Sequence, residues 1–231
     1  MQMHELRRAV VAACLEMNRL GLNQGTSGNI SVRCGAAMLV TPTATPYDRL
    51  SPDMLASMLL ADEAGRFSGP KAPSSEWRFH RDIYRARPDV GAIVHCHATY
   101  STVLSMLREA IPAAHYMIAA FGGAQILCTD YAAYGTPELS ALAVEGLGPR
   151  HGVLLGSHGM IATGADLESA LWRAVELETL AKHYYLARAI GTPVVLGDAQ
   201  IAELIPRFAA YGAGANPLPA GEGGLGEAEP G

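Results

Sequence analysis

The sequence lacks the features of membrane, secreted and nucleic-acid-binding proteins. No apolar run approaches the roughly 20 residues that span a bilayer, and charges interrupt the amino-terminal apolar runs, so no signal-peptide core is present. Four cysteines stand far apart without a CxxC pair, which predicts reduced thiols. The 17 Lys and Arg residues are scattered and the net charge is -5, which leaves no basic face for a phosphate backbone. These absences favour a cytoplasmic protein that binds neither membrane nor nucleic acid.

What the sequence does contain is enough apolar material for a sizeable core. The chain has 231 residues, 49% of them hydrophobic, so one domain is expected, and we place it at residues 1–212. The remaining segment, 213–231, is rich in Gly, Ala, Pro and Glu and has almost nothing to bury. This composition predicts a disordered tail.

Segments of helical and strand character alternate along the chain. Helices are predicted over 4–20, 76–87, 98–110, 137–147 and 166–190. Short strands are predicted over 30–33, 38–40, 90–97, 126–128 and 152–155. Glycine- and proline-rich loops, GLNQGTSGN and TPTATPYDRLSP, flank the first strands. The interleaving predicts α/β layering without separate domains.

The segment VHCH places two histidines on one face of a predicted strand. His95 and His97 are two positions apart and project together, whereas Cys96 projects to the other face. Zinc binds imidazole nitrogen and carboxylate oxygen, and a catalytic zinc keeps one position for water or substrate. His158, just past a predicted strand end, and Glu76, in the first turn of a predicted helix, are candidates for the remaining ligands.

Each of these residues taken alone also fits a structural role. The histidine pair fits a solvated strand face, His158 a turn, and Glu76 a carboxylate favoured by the helix dipole. The spacing does not decide between ligand and structural residue. The other histidines have no partner at ligand spacing and are assigned to surface or core: His4, His80, His115, His151 and His183.

Seven motifs taken in order resemble the class II L-fuculose-1-phosphate aldolase family. They are GLNQGTSGN, TPTATPY, PSSEWRFH, IVHCH, IPAAHYMIA, YGTPELS and LLGSHGMIA, and the resemblance covers residues 4–211. It implies a three-layer α-β-α fold with a central mixed, largely antiparallel sheet. It also implies one zinc ion per subunit, with Mn²⁺ or Co²⁺ as alternatives, held by Glu76, His95, His97 and His158.

The resemblance further implies a phosphate site built from three loops. Its residues are Gly28, Asn29, Thr43, Ala44, Ser74 and Ser75. Glycine permits close backbone approach, the Asn and Thr side chains can donate hydrogen bonds, and the serines open a helix whose free N–H groups favour an anion. Glycine is expected after Thr43, so the methyl group of Ala44 is expected to tighten or shift this pocket.

The implied activity is reversible cleavage of a ketose 1-phosphate into dihydroxyacetone phosphate and a short aldehyde. A Lewis-acidic metal would stabilise the negative charge left on the phosphorylated half. By hypothesis, Glu76 is both a ligand and the group that moves the proton at C3. By resemblance, Tyr116 handles the proton of the C4 hydroxyl, reaching the site from a neighbouring subunit of a homotetramer. Tyr134 and Tyr211 are candidates for the aldehyde side, although each also fits plain packing.

Several alternatives remain open at this level. The same chemistry could act on 5-deoxyribulose 1-phosphate or 5-methylthioribulose 1-phosphate instead of L-fuculose 1-phosphate. A ribulose-5-phosphate 4-epimerase of the same fold would break and remake the bond without releasing dihydroxyacetone phosphate. A non-catalytic module resembling the adducin head domain would not need a complete ligand set.

Overall fold

The structure is a computed structural model that describes residues 3–211, and for residues 209–211 it describes the backbone alone. The predicted tail, 213–231, lies outside the described residues, so its disorder stays a prediction. No helix within residues 3–211 combines the length and the apolar composition needed to cross a bilayer.

Nine strands in the described part of the chain form one sheet. They are β1 Asn29–Cys34, β2 Ala37–Val40, β3 Ala56–Leu59, β4 Phe67–Ser68, β5 Ala92–Cys96, β6 Ile111–Pro112, β7 Gln125–Cys128, β8 Gly152–Leu155 and β9 Gly159–Gly164. Their spatial order is β4-β3-β2-β1-β5-β9-β8-β7-β6. The β7–β8 pair is parallel and the other neighbouring strands are antiparallel. The expectation of a mixed, largely antiparallel sheet is confirmed.

Helices cover both faces of this sheet. They are α1 Met3–Arg19, α2 Trp77–Ala86, α3 Thr99–Met106, α4 Pro137–Leu147, α5 Leu167–Ile190, α6 Asp198–Ala202 and α7 Ile205–Tyr211. The apolar residues of α1, α3 and α5 share one buried cluster, and those of α2 and α4 share another. Strand alternation divides the sheet between them, since Val94 and Cys96 belong to the first cluster and Ile93 to the second. The predicted three-layer arrangement is therefore confirmed.

Strand β9, one of four strands that the sequence analysis did not predict, lies near the centre of the sheet. All six residues of β9 are buried, because helices cover both of its faces. A strand buried on both sides shows no alternation of polar and apolar residues, so periodicity gives no signal for it. The strands β3, β4 and β6 were also missed, and each has only two to four residues.

Helix α3 ends earlier than its sequence pattern predicts. The predicted helix ran to residue 110, but α3 ends at Met106 and Arg108 adopts a φ of 55°. A non-glycine residue in this left-handed region cannot continue a right-handed helix. The chain therefore turns at Arg108, before β6.

The sheet register brings distant segments to one edge. Strand β5 lies between β1 and β9, so that Asn29 pairs with His95 and Cys96 pairs with Met160. His97 directly follows β5, and His158 directly precedes β9. The start of β1, the end of β5 and the start of β9 therefore meet at the same place.

Candidate metal centre

The structure brings the four predicted metal ligands together. The Nε2 atoms of His95 and His97 are 3.1 Å apart. The two carboxylate oxygens of Glu76 lie close to the other imidazoles, with Oε2 3.3 Å from His95 Nε2 and Oε1 3.1 Å from His158 Nε2. The ligand atoms of the three histidines all lie within 4.8 Å of one another. One cation could contact all four side chains.

Strand geometry explains how the two histidines of VHCH share this position. His95 is the fourth residue of β5, and its ring packs edge-on against Phe79 of α2. Cys96 points to the opposite face and is buried in the cluster formed by α1, α3 and α5. At residue 159 a Cβ atom would lie 2.5 Å from Cys96 O and 2.8 Å from the His97 ring, so only glycine fits there.

An arginine that the sequence analysis did not single out holds the turn that carries His158. Arg108 Nη1 donates to Ser157 Oγ and to Ser105 O, each at 2.8 Å. Ser157 N–H also donates to Ser105 O at 3.1 Å, and Ser157 adopts a φ of 52°. Left-handed backbone at a non-glycine residue costs on the order of 1 kcal/mol. The arginine contacts offset that cost and fix the turn.

The helix that follows Glu76 begins one residue later than predicted. Helix α2 begins at Trp77, so Glu76 is its N-cap residue and does not lie within the first turn. Its side chain makes no capping hydrogen bond to the helix and instead points to the histidines. The carboxylate is thus available for a ligand role.

The donor set fits a cation. Because Met160 O can only accept, His95 Nδ1, 2.9 Å away, carries a proton, and His95 Nε2 is the ring nitrogen that can offer a lone pair to a cation. Glu76 Oε1 is buried and, apart from His158, has no polar partner among the described residues. Acceptor atoms that face one another repel, so either protons or a cation must lie between the Glu76 oxygens and the imidazole nitrogens. Three imidazoles and a carboxylate are a ligand set that zinc takes.

The electrostatics favour the metal-binding protonation states of Glu76 and His97. Burial by itself raises the pKa of the Glu76 carboxyl, but the charges and hydrogen bonds of His95 and His158 outweigh it and bring the pKa well below its ordinary value. Burial, reinforced by His95 and His158, lowers the pKa of His97 to about 3. At neutral pH Glu76 is therefore an anion and His97 a neutral ligand.

A cavity of about 350 Å³ opens beside the ligands. Glu76, His97 and His158 line it together with all six residues of the predicted phosphate site: Gly28, Asn29, Thr43, Ala44, Ser74 and Ser75. Its lining residues also include Thr26, Ser27, Pro42, Tyr131, Ala132, Tyr134 and Ser157, with no lysine or arginine among them. An anion bound here would meet neutral donors and the metal position.

The predicted phosphate residues divide into buried and exposed groups. Thr43, Ala44 and Ser75 are exposed to the cavity, whereas Asn29 and Ser74 are buried. Asn29 Nδ2 donates to Ser74 Oγ and to Glu76 Oε2, both at 3.0 Å, so both of its N–H groups are already used. The structure thus gives Asn29 a contact with a metal ligand that the sequence analysis did not predict.

Two backbone positions shape the cavity wall. Gly28 has a φ of 77°, and a Cβ there would lie 2.8 Å from His95 O, so the close approach expected of this glycine is made to the β5 backbone. Ala44 has a φ of 48°, in the left-handed region where glycine is favoured. Ala44 therefore keeps the backbone shape expected of a glycine and adds a methyl group.

The three predicted tyrosines fall in different places. Tyr134 lines the cavity, with 71% of its surface exposed. Tyr116 does not; it is 50% exposed and lines a separate groove with Trp172 and Phe208. The backbone of Tyr211 ends α7, but its side chain lies outside the described residues. Within the described part of one chain, Tyr116 is thus apart from the metal ligands.

His80 has a role that the sequence analysis did not assign. The sequence analysis assigned it to surface or core, and it is fully buried. Its Nε2 lies 2.5 Å from Asn29 Oδ1, and the Asn29 side chain connects it to Glu76. The signal that could have revealed it is the spacing of four residues between Glu76, His80 and Tyr84, which places all three on one helix face.

Comparisons with known proteins identify a family and several relatives of this chain. Residues 8–185 match the family described as Class II Aldolase and Adducin N-terminal domain. An L-fuculose phosphate aldolase of Escherichia coli (strain K12) is 48% identical over 213 residues, which are 92% of this chain and 98% of that protein. A 5-methylthioribulose-1-phosphate/5-deoxyribulose-1-phosphate aldolase of Rhodospirillum rubrum is 44% identical over 207 residues, 90% of this chain and 92% of that protein. A solved L-fuculose 1-phosphate aldolase matches with a TM-score of 0.85 and 35% identity, covering 89% of this chain and 96% of that one.

The left-handed backbone at Ala44 predicts a stabilising substitution. Ala44→Gly should raise the free energy of unfolding by about 1 kcal/mol, because glycine adopts this φ without the steric cost that alanine bears. Urea denaturation monitored by circular dichroism measures the change. The matched control is Ala64→Gly at an exposed turn residue without a positive φ, which should lower the stability by about 0.4–1 kcal/mol. Equal destabilisation by the two substitutions would contradict strain at Ala44.

Proposed function

The chain belongs to the class II aldolase and adducin N-terminal domain family, and on that basis we propose that it is a metal-dependent aldolase. Its substrate is a ketose 1-phosphate of the L-fuculose 1-phosphate type, cleaved reversibly to dihydroxyacetone phosphate and a short aldehyde. The observation that carries the proposal is the complete set of four ligands beside a cavity lined by the three phosphate loops.

We propose zinc as the bound metal, one per subunit, with Mn²⁺ or Co²⁺ as alternatives. Glu76, His95, His97 and His158 would hold it. When bound, the metal supplies a Lewis acid for the negative charge that cleavage leaves on the phosphorylated half, an effect worth several kcal/mol. The ligand set supports this assignment because it combines three imidazoles with the anionic carboxylate of Glu76.

The phosphate group would bind where the three loops meet at the start of α2. Ser75 and Thr43 present exposed hydroxyl groups, and Gly28 lines the cavity beside them. The positive end of the dipole of α2, a helix of 10 residues, favours an anion at the same place. Neutral donors and this dipole would hold the phosphate end and leave the aldehyde end to the outer cavity, where Tyr134 lies.

Two side chains are proposed to move protons. As the aldehyde forms, the C4 hydroxyl loses a proton, and C3 of the other half gains one. We assign the proton at C3 to Glu76, which is anionic and so can accept it when the reaction runs towards synthesis. We assign the C4 hydroxyl proton to Tyr116, whose phenol can donate or accept.

Tyr116 could reach the cavity only from another copy of the chain. In its own chain it lines a groove separate from the cavity, and half of its surface is exposed. We therefore propose a homotetramer in which a neighbouring subunit supplies Tyr116 and completes the site. The assignment of Tyr211 to the aldehyde side and the cytoplasmic location stay predictions.

One alternative substrate class has specific support. The relative that is 44% identical is named for 5-methylthioribulose 1-phosphate and 5-deoxyribulose 1-phosphate. The phosphate end of either substrate would be recognised in the same way as that of L-fuculose 1-phosphate. An adducin-like module without catalysis has less support, because it would not need the complete ligand set that this chain has.

Metal removal and a substrate panel test the proposed function. Purified protein treated with a chelator should lose cleavage activity, and added Zn²⁺ should restore it, with dihydroxyacetone phosphate measured by coupled oxidation of NADH.

Comparison of the three ketose 1-phosphates by kcat/KM should favour L-fuculose 1-phosphate by about tenfold or more, a discrimination typical of pocket fit. Full activity in metal-free protein would overturn the proposal, and epimerisation of ribulose 5-phosphate without triose release would favour the isomerase.

Replacement of Glu76 tests its double role. Glu76→Gln should retain part of the bound zinc, because the amide oxygen and the three histidines remain, but turnover should fall about 10²–10⁴-fold with the loss of the proton-transfer group. Zinc content by elemental analysis and kcat are measured on the same sample. Glu63→Gln, at a surface ion pair with Arg85, is the matched control. Unchanged turnover in Glu76→Gln would remove Glu76 from the mechanism.

Co-expression of two inactive variants tests whether Tyr116 acts on a neighbouring subunit. Tyr116→Phe and His95→Ala should each lose most activity as homo-oligomers. Random mixing in a closed oligomer would place the intact halves together in about one quarter of the sites, so the hybrid should recover about that share of wild-type activity. The double variant, which cannot form a complete site, is the control. No recovery in hybrids shown to contain both chains would mean that Tyr116 does not act between subunits.

A further inference from the structure

A buried row of polar side chains leads away from the metal ligands between α2 and β1. Glu76, His80 and Tyr84 follow one another at intervals of four residues along one face of α2. Asn29 and Ser31 lie two residues apart on the facing side of β1. Four helical residues and two strand residues each advance about 6 Å, so the two series interleave. Each of the five residues exposes 7% or less of its surface.

The interleaved side chains form one continuous series of hydrogen bonds. Tyr84 Oη lies 2.9 Å from Ser31 Oγ, which lies 2.7 Å from His80 Nδ1. His80 Nε2 lies 2.5 Å from Asn29 Oδ1, and Asn29 Nδ2 lies 3.0 Å from Glu76 Oε2. The series therefore begins at a tyrosine buried in the core and ends on a metal ligand.

The chemistry of the end groups fixes the direction of every hydrogen bond in the series. The anionic Glu76 can only accept, so the NH₂ group of Asn29 faces it and the amide oxygen of Asn29 faces His80. His80 Nε2 must then donate. Its neutral Nδ1 accepts from the Ser31 hydroxyl, and the Tyr84 hydroxyl in turn donates to Ser31.

His80 stays neutral in this setting. Burial, with a further contribution from His95, lowers the pKa of His80 to about 3, against the opposing effect of Glu76. The ring also stacks on Phe79, at 4.6 Å between centroids. The imidazole is therefore fixed in place with one donor and one acceptor.

We propose that His80 is a positioning residue for the metal ligand Glu76: its Nε2–H holds the Asn29 amide in the one orientation that donates to Glu76 Oε2. If the amide turned over, its oxygen would face the carboxylate and repel it, and the anchor of the ligand would be lost. Replacing a residue that hydrogen-bonds to a metal ligand typically lowers metal affinity by about 10–100-fold. The inference rests on the proposed function only in taking Glu76 as a metal ligand.

The tautomer of His80 is the first test and needs no substitution. Long-range ¹H–¹⁵N correlation spectra of the full chain labelled with [¹⁵N]histidine, recorded without metal and with Zn²⁺, should show His80 neutral with its proton on Nε2 from about pH 5.5 to 8, the range in which an ordinary histidine titrates. A proton on Nδ1 would reverse every donor in the series and overturn the proposal.

Two substitutions of His80 form the second test, with zinc affinity as the readout. The side-chain nitrogen of glutamine reaches the position of imidazole Nε2 and can donate to Asn29, whereas asparagine reaches only the position of Nδ1. His80→Asn should therefore weaken zinc binding by about 10–100-fold, and His80→Gln should stay within about threefold of the wild type. Competition with a chromophoric chelator, starting from metal-free protein, measures both.

His151→Asn is the matched control, since His151 lies at the other end of β8 from His158 and bonds to Thr163. Equal zinc affinity for wild type, His80→Asn and His80→Gln would overturn the positioning role. A wild type that binds no divalent metal would overturn the proposed function instead, while the tautomer would still decide the direction of the hydrogen bonds. If His80→Asn does not fold, weak zinc binding by a folded His80→Gln or a His80 proton on Nδ1 would contradict the proposal, and near-normal binding by His80→Gln together with a proton on Nε2 would support it.

Discussion

The structure depends on a buried carboxylate that faces imidazole nitrogens. Glu76 is 7% exposed and the nearby His95 is fully buried, so water cannot screen the anion from the nitrogens that face it. Such an arrangement is costly by itself and becomes favourable when a cation lies between the groups. The hydrogen bond from His95 Nδ1 to Met160 O and the contact between Asn29 and Glu76 both serve this arrangement, because each fixes the orientation of a ligand.

The fold meets this constraint through the neighbouring strands β1, β5 and β9. Their backbones must come close for three ligands to converge, and Gly28 and Gly159 allow this because a Cβ at either position would collide with the β5 backbone. The turn before β9 has left-handed backbone at Ser157, and the Arg108 side chain stabilises this turn by its hydrogen bond to Ser157. The backbone of Arg108 is also left-handed. Strain is thus concentrated next to a ligand, where exact placement has most effect on the chemistry.

The proposed metal and phosphate sites lie at the same edge of the molecule. Glu76 is the N-cap of α2, and Ser74 and Ser75 directly precede it, so the ligand and the anion-favouring helix end come from one short segment. No lysine or arginine is among the described residues that line the cavity, and a fixed cation there would compete for Glu76. The proposed phosphate site would therefore depend on backbone, hydroxyl groups and the proposed metal.

The sequence by itself predicted the pairing of His95 with His97, because residues two apart in an extended chain project to the same side. The order of the seven motifs also determined the family, and with it the three-layer fold and the ligand candidates Glu76 and His158. Only the tertiary structure decided that Asn29 lies beside Glu76, that His80 contacts the Asn29 amide, that β9 lies near the centre of the sheet, and that Tyr116 faces a different groove in its own chain. The physical reason is range: periodicity reports which side of one element a residue occupies, whereas these contacts join elements about 50 residues apart and depend on the register between β1, β5, β9 and α2.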